Sequence, residues 1–166
     1  MPGMPDILQG KMKNVPGLLI LVLLASFCKT AVPAGEKTSD QYIADLSSGD
    51  MSLQITAARK LGERKEEQAI PALVSLLDSN PAPEVAWNVA ASLGAIGKPG
   101  PATAALQRSA NSPSPSVKYA SIAALTNLHD KDQKAQNVQA ASQMRDSTRD
   151  DLLKDLADKA ATLMAR

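Results

Sequence analysis

The sequence predicts an all-α fold: an α-solenoid of about three stacked helical pairs, with a capping helix at its N- and C-terminal ends. Two observations point there, and composition supports them. One pattern recurs at an interval of 32 residues: Leu53, Val85 and Val117 align, as do Ile55, Trp87 and Tyr119, then Leu61, Leu93 and Leu125. The turns are in phase with it, since Ser79-Asn80-Pro81-Ala82-Pro83-Glu84-Val85 is echoed by Asn111-Ser112-Pro113-Ser114-Pro115-Ser116-Val117. A shared period with matching turns marks stacked copies of one supersecondary unit. Aromatic residues make up only 2% of the chain, which suits closely packed helices better than a β-sandwich.

The first segment, residues 1–34, reads as a signal peptide. Lys11 and Lys13 precede the apolar run from Leu18 to Ala25, and the small residues Ala31, Ala34 and Gly35 follow. This is the basic, apolar and small-residue order of a secretory signal, with Val32 and Ala34 placed for cleavage after Ala34. The run falls short of the roughly 18–20 apolar residues that cross a bilayer. The expected location is periplasmic or secreted. A membrane enters only if the signal stays uncleaved or if Cys28 carries a lipid. Leu24-Ala25-Ser26-Phe27-Cys28 loosely resembles a lipobox, but Phe27 stands where a small residue is wanted. Cys28 is the sole cysteine, so no intramolecular disulfide is possible. The formal charge is +1, and loss of residues 1–34 removes one acid and three bases to leave −1. No basic block offers a nucleic-acid footprint.

Residues 35–146 are expected to form the repeat domain. Thr38-Ser39-Asp40-Gln41 has the form of a capping box, and Tyr42, Ile43 and Leu46 give the short helix after it an apolar side. Asp50 is a suitable N-cap for the first full unit. That unit's first helix carries the stripe Leu53, Ala57, Ala58 and Leu61, and Gly62 to Glu67 mark a turn. Its second helix carries Ile70, Leu73, Val74 and Leu77 at helical spacing, with Pro71 tolerated near the start. One such pair makes a layer that cannot bury its apolar face alone, so layers stack. The second unit repeats the stripe with Val85, Val89, Ala90 and Leu93. Along the second helices the stripe fades to Ala102, Ala105, Leu106 and Ser109, then to Lys134, Asn137, Val138 and Ala141. The last layer is therefore expected to be the least stable.

Residues 147–166 read as a C-terminal amphipathic helix starting at Ser147 or Thr148. Leu152, Leu153, Leu156, Ala160, Leu163 and Met164 form its apolar side. Asp150/Lys154 and Asp155/Lys159 fall at i, i+4, the favourable acid-first order. Such a helix either caps the third unit or offers its leucines to a partner or a second copy.

The units resemble HEAT repeats, in the short form found in phycobilin lyases. The residues that carry the resemblance are Val85, Val89-Ala90 and Leu93-Gly94, with Leu53, Ala57-Ala58 and Leu61-Gly62 before them. The third unit keeps Val117 and Leu125 but has Thr126 in place of the glycine, so its helix is expected to run on. The resemblance covers residues 50 to 130 and implies an α-solenoid that holds other proteins on an extended surface. Lyase activity belongs to some members only, and no residue pattern carries it to this chain.

Chemistry is sparse. His129 is the only histidine, and a metal reading would need it with Asp130 and Asp132 around Lys131, a turn better read as solvated. Without a second histidine or a further cysteine no nucleophile–base pair can be built on histidine, and no phosphate loop or dinucleotide motif occurs. Catalytic residues, cofactor and metal are all expected to be absent, and the partner is expected to be another protein. The candidate binding residues are Ile55, Trp87 and Tyr119, which form a ladder on successive first helices, with Gln107 and Arg108 on the second-helix face. That face is expected to present Gln68, Ser75 and Thr103 as well. Tryptophan and tyrosine are favoured interface anchors. The expected function is a non-catalytic exported module for binding or assembly. The alternatives are an accessory subunit of a bilin-lyase type enzyme and a lipid-anchored envelope scaffold.

Overall fold

A computed structural model describes residues 36–128 and 132–165. The signal-peptide segment, Cys28 and the turn at His129 and Asp130 lie outside them. The residues from Lys37 onward form one compact unit. Among the described residues it contains eight α-helices and no strand. They are α1 (Ser39–Asp45), α2 (Met51–Glu63), α3 (Ile70–Asp78), α4 (Pro83–Ile96), α5 (Pro101–Ser109), α6 (Pro115–Leu128), α7 (Lys134–Ser147) and α8 (Asp151–Ala165).

Helix boundaries follow local chemistry. Thr38 and Gln41 close the expected capping box, with Gln41 N donating to Thr38 Oγ1 at 3.3 Å and Thr38 N to Gln41 Oε1 at 2.8 Å. Asp50 caps α2 by accepting from Leu53 N at 3.0 Å. Pro83, Pro101 and Pro115 open α4, α5 and α6, where a missing N–H removes no helical bond. Gly97 ends α4 with φ of 71°, a left-handed conformation that a side chain would strain. The last helix starts later than its sequence pattern suggests. Ser147 and Thr148 close α7, and Asp150 caps α8 by accepting from Leu152 N at 2.9 Å. With Asp150 occupied as a cap, Lys154 pairs with Asp151 instead, at 3.2 Å. The pair Lys159–Asp155 forms as expected, at 2.6 Å.

The helices stack as a solenoid in two rows. The first helices α2, α4, α6 and then α8 pack side by side, and the second helices α3, α5 and α7 run as a parallel row. Each second helix packs on the first helix of the next layer, and α3 packs equally on α5, so consecutive layers interlock. Leu61, Leu93 and Leu125 occupy one equivalent buried place in successive units. Val85 and Val117 are buried as well, but Leu53 is 40% exposed. The cause is positional: Val85 and Val117 lie against a preceding second helix, and none precedes α2 among the described residues.

Gly62 and Gly94 are helical and do not begin turns. Each sits where one first helix crosses the next. A methyl group added at Gly62 would lie 2.9 Å from Ser92 Cα, and one at Gly94 would lie 2.7 Å from Ala124 Cβ and 2.8 Å from its Cα. Each glycine thus meets a small residue 30 positions later. The third such pair would be Thr126 and Leu156, both too large for that contact. Thr126 turns its hydroxyl back onto Ala123 O at 2.7 Å, and α8 packs on α7 as well as α6. The expected extension of α6 beyond Leu128 would fall on residues outside those described.

The fading stripe of the second helices is real in composition, yet most of its positions remain in the core, with Ser109, Lys134 and Val138 half-buried. Ala102, Ala105 and Leu106 are fully buried, and the α7 stripe runs Asn137, Ala140, Ala141 and Met144. Lys134 falls off that stripe. In α8, Leu153, Ala157 and Ala160 are buried.

Gly94→Ala should destabilise the unit by about 1–3 kcal/mol, because the contacting Ala124 backbone has no room to give. The same exchange in an open helix position would stabilise by up to about 1 kcal/mol. Urea unfolding followed by circular dichroism reads the sign directly.

Candidate functional site

The ladder of the first helices is the strongest candidate surface. Ile55, Trp87 and Tyr119 take equivalent places on α2, α4 and α6, on the side away from the buried stripes. Trp87 is 43% and Tyr119 50% exposed, whereas Ile55 is half-buried against the core. The two aromatics therefore stand out from the protein, and Ile55 supports its own layer. Around them the outward residues are small or neutral: Ala91 and Ala95 on α4, and half-buried Ala123 and exposed Asn127 on α6. Glu84 and Lys118 lie one helical turn or less away in sequence. A face of this kind offers flat aromatic area with little charge to desolvate.

The second-helix candidates are more committed to the fold than the sequence suggests. Arg108 is exposed, but its guanidinium grips the Asp78 carboxylate two-handed: Nη2 donates to Oδ2 at 2.7 Å and Nε to Oδ1 at 3.2 Å. This fork-to-fork geometry links α5 to α3 across one layer. Gln107 is half-buried and donates through Nε2 to Asn137 Oδ1 at 2.7 Å and to Gln133 Oε1 at 3.3 Å. Thr103 is fully buried and is no surface residue; its hydroxyl accepts from Gly100 N at 3.3 Å at the start of α5. Gln68 and Ser75 are exposed as expected.

Two features were not legible in the linear pattern. A hollow of about 500 Å³ opens between the two proline turns, floored by Leu77, Ala86, Ala105 and Val117 and walled by the Asp78–Arg108 pair. The in-phase turns were visible in the sequence; the space between them was not. A shallower groove of about 350 Å³ lies between α5 and α7, lined by the carboxamides of Gln107, Asn111, Gln136, Gln139 and Gln143. Asn137 beneath it is 2% exposed, a polar side chain in the place that Leu73 and Ala105 fill in earlier layers.

Electrostatics around these surfaces are local. Arg145 bonds Asp146 at 2.9 Å and Asp158 at 3.3 Å, and these two carboxylates raise its pKa further above the ordinary arginine range. Among the described residues no group of histidine, cysteine, aspartate or glutamate is arranged to hold a metal ion. No described helix is long and apolar enough to cross a membrane.

The family model for HEAT repeats matches residues 40–126, slightly more than half of the chain. The match is to HEAT repeats as such and does not single out the phycobilin-lyase form. No curated protein matches the sequence.

Gln107→Ala should cost about 1–3 kcal/mol of stability, since it strips a buried acceptor on Asn137 of its donor. Arg108→Ala, which breaks an exposed ion pair, should cost no more than about 1 kcal/mol. Thermal unfolding of the two variants side by side checks the ordering.

Proposed function

The chain belongs to the HEAT-repeat family, and we propose that it is an exported, non-catalytic module that holds another protein against its first-helix face. HEAT repeats are in general protein-interaction modules. The observation that carries the reading is the pair Trp87 and Tyr119, exposed at equivalent positions one layer apart. Burying a large apolar side chain is the main favourable term in association, and a folded protein that leaves two aromatics in water at one register keeps that term for a partner. The small neutral residues beside them let a partner helix or strand approach closely. Arg108 and Gln107, tied to Asp78 and Asn137, serve to fix neighbouring layers and would touch a partner only at the rim.

Export rests on the order of residues 1–34: basic start, apolar run, small-residue exit. The module would then work in the periplasm or outside the cell.

Photo-crosslinking from the Tyr119 position in the exported protein is expected to trap one defined partner. Trp87→Ala with Tyr119→Ala should weaken its capture by a factor of about 30 or more, given roughly 2 kcal/mol for an aromatic anchor, while leaving the fold intact. Unchanged capture by a folded double variant removes the ladder from consideration. Separately, intact-mass spectrometry of the exported chain should give a mature form beginning at Gly35. A chain acylated at Cys28, or one retaining its first 34 residues, would replace export with membrane anchoring.

A further inference from the structure

Helix α8 is more apolar than its place in the fold requires. Leu153, Ala157 and Ala160 face the core and are buried. Next to them, Leu152, Leu156 and Leu163 follow at i, i+4 and i+11, a spacing that sets them along one side of the helix. Leu156 is half-buried, but Leu152 is 80% and Leu163 60% exposed, above every other large apolar side chain among the described residues. Among the described helices of the first-helix row, α4 has α2 on one flank and α6 on the other, while α8 has α6 on one flank. Two leucines near the ends of this side, Leu152 and Leu163, are left uncovered, with half-buried Leu156 and exposed Lys159 between them.

The charges along this side select its occupant. Asp151 and Asp155 lie along its first half and Lys159 along its second. Two copies of α8 laid parallel would set Asp155 against Asp155 and Lys159 against Lys159. Laid antiparallel about a two-fold axis, they oppose Leu152 to Leu163 of the second copy. The same register brings Asp155 beside Lys159 of the second copy, and the symmetry supplies each contact twice. The leucine match pivots between Ala157 and Asp158 and the charge match at Ala157, so the two registers differ by one residue, about 1.5 Å along the axis and within side-chain reach, with the Lys159 stem of the second copy level with Leu156. The helix dipoles oppose as well. The in-chain pair Lys159–Asp155, at 2.6 Å between exposed groups, gives little resistance to being shared.

We propose that the chain forms a two-fold dimer through antiparallel pairing of α8 with α8 of a second copy, centred on Leu152, Leu156 and Leu163. This surface is separate from the aromatic ladder, and Trp87→Ala with Tyr119→Ala leaves it intact.

Sedimentation of the full chain over a concentration series tests it. A reversible monomer–dimer equilibrium is expected. Leu152→Ser with Leu163→Ser should weaken the dimer at least about tenfold without lowering the unfolding midpoint, because both side chains are solvent-exposed. Asp155→Lys and Lys159→Asp should each weaken it alone, and mixing these two chains should restore association. In a Cys28→Ser background, oxidation of mixed Leu152→Cys and Leu163→Cys chains should give the mixed disulfide in preference to either symmetric one. A chain that stays monomeric throughout overturns the proposal. So does a dimer indifferent to the leucine substitutions, or a preference for the symmetric disulfides.

Discussion

The structure depends on how near one first helix comes to the next. At Gly62 over Ser92, and again at Gly94 over Ala124, two helix backbones meet with no side chain between them on one partner. That closeness fixes the spacing of the row, and the row fixes everything attached to it. It seals Ala57, Ala58, Val89 and Ala90 away from water. It also holds each second helix over the seam with the following layer. Because the contact is backbone against small residue, it is intolerant of added volume, unlike a contact between flexible side chains.

The same constraint explains where the regular row changes. The third junction would need small residues at positions 126 and 156, and the chain has Thr126 and Leu156 there. Helix α8 accordingly packs on both α6 and α7, and α7 keeps its close partner in α8. The polar links show a similar nearest-neighbour logic. Arg108 reaches Asp78, Lys98 reaches Glu67, Gln107 reaches Asn137 and Lys118 reaches Ser147, each about one period away in sequence. A solenoid is bound together layer to layer, with no contact between distant repeats. Its surfaces are consequently long, and residues at one register recur along them.

Two such recurrences matter for function. On the first-helix face the register of Ile55 turns from a half-buried aliphatic into exposed aromatics at Trp87 and Tyr119. On the second-helix face the core register of Leu73 passes through Ala105 to a buried amide at Asn137, with its own hydrogen-bonding donor in Gln107. The first change leaves apolar area in water, where a partner gains by covering it. The second converts apolar packing into a directional bond within the core of the last layer.

The sequence by itself determined the helical class, the 32-residue period, the capping of α1 and α2 and the identity of the repeated core residues. These follow from spacing and from local hydrogen-bonding chemistry, which a linear pattern carries in full. It also placed the aromatics at one register, since register is a matter of counting. Only the tertiary structure decided which members of a register face water: Leu53 lies open because no second helix precedes it among the described residues, while Val85 and Val117 are covered. It decided that Gly62 and Gly94 are crossing points and not turn residues, that Thr103 is buried, and that Arg108 is occupied by Asp78. It decided too that Asp150 caps α8 and releases Lys154 to Asp151. Each of these outcomes depends on what a neighbouring layer puts opposite a residue about 30 positions away, and no local pattern encodes the distance between two helix backbones.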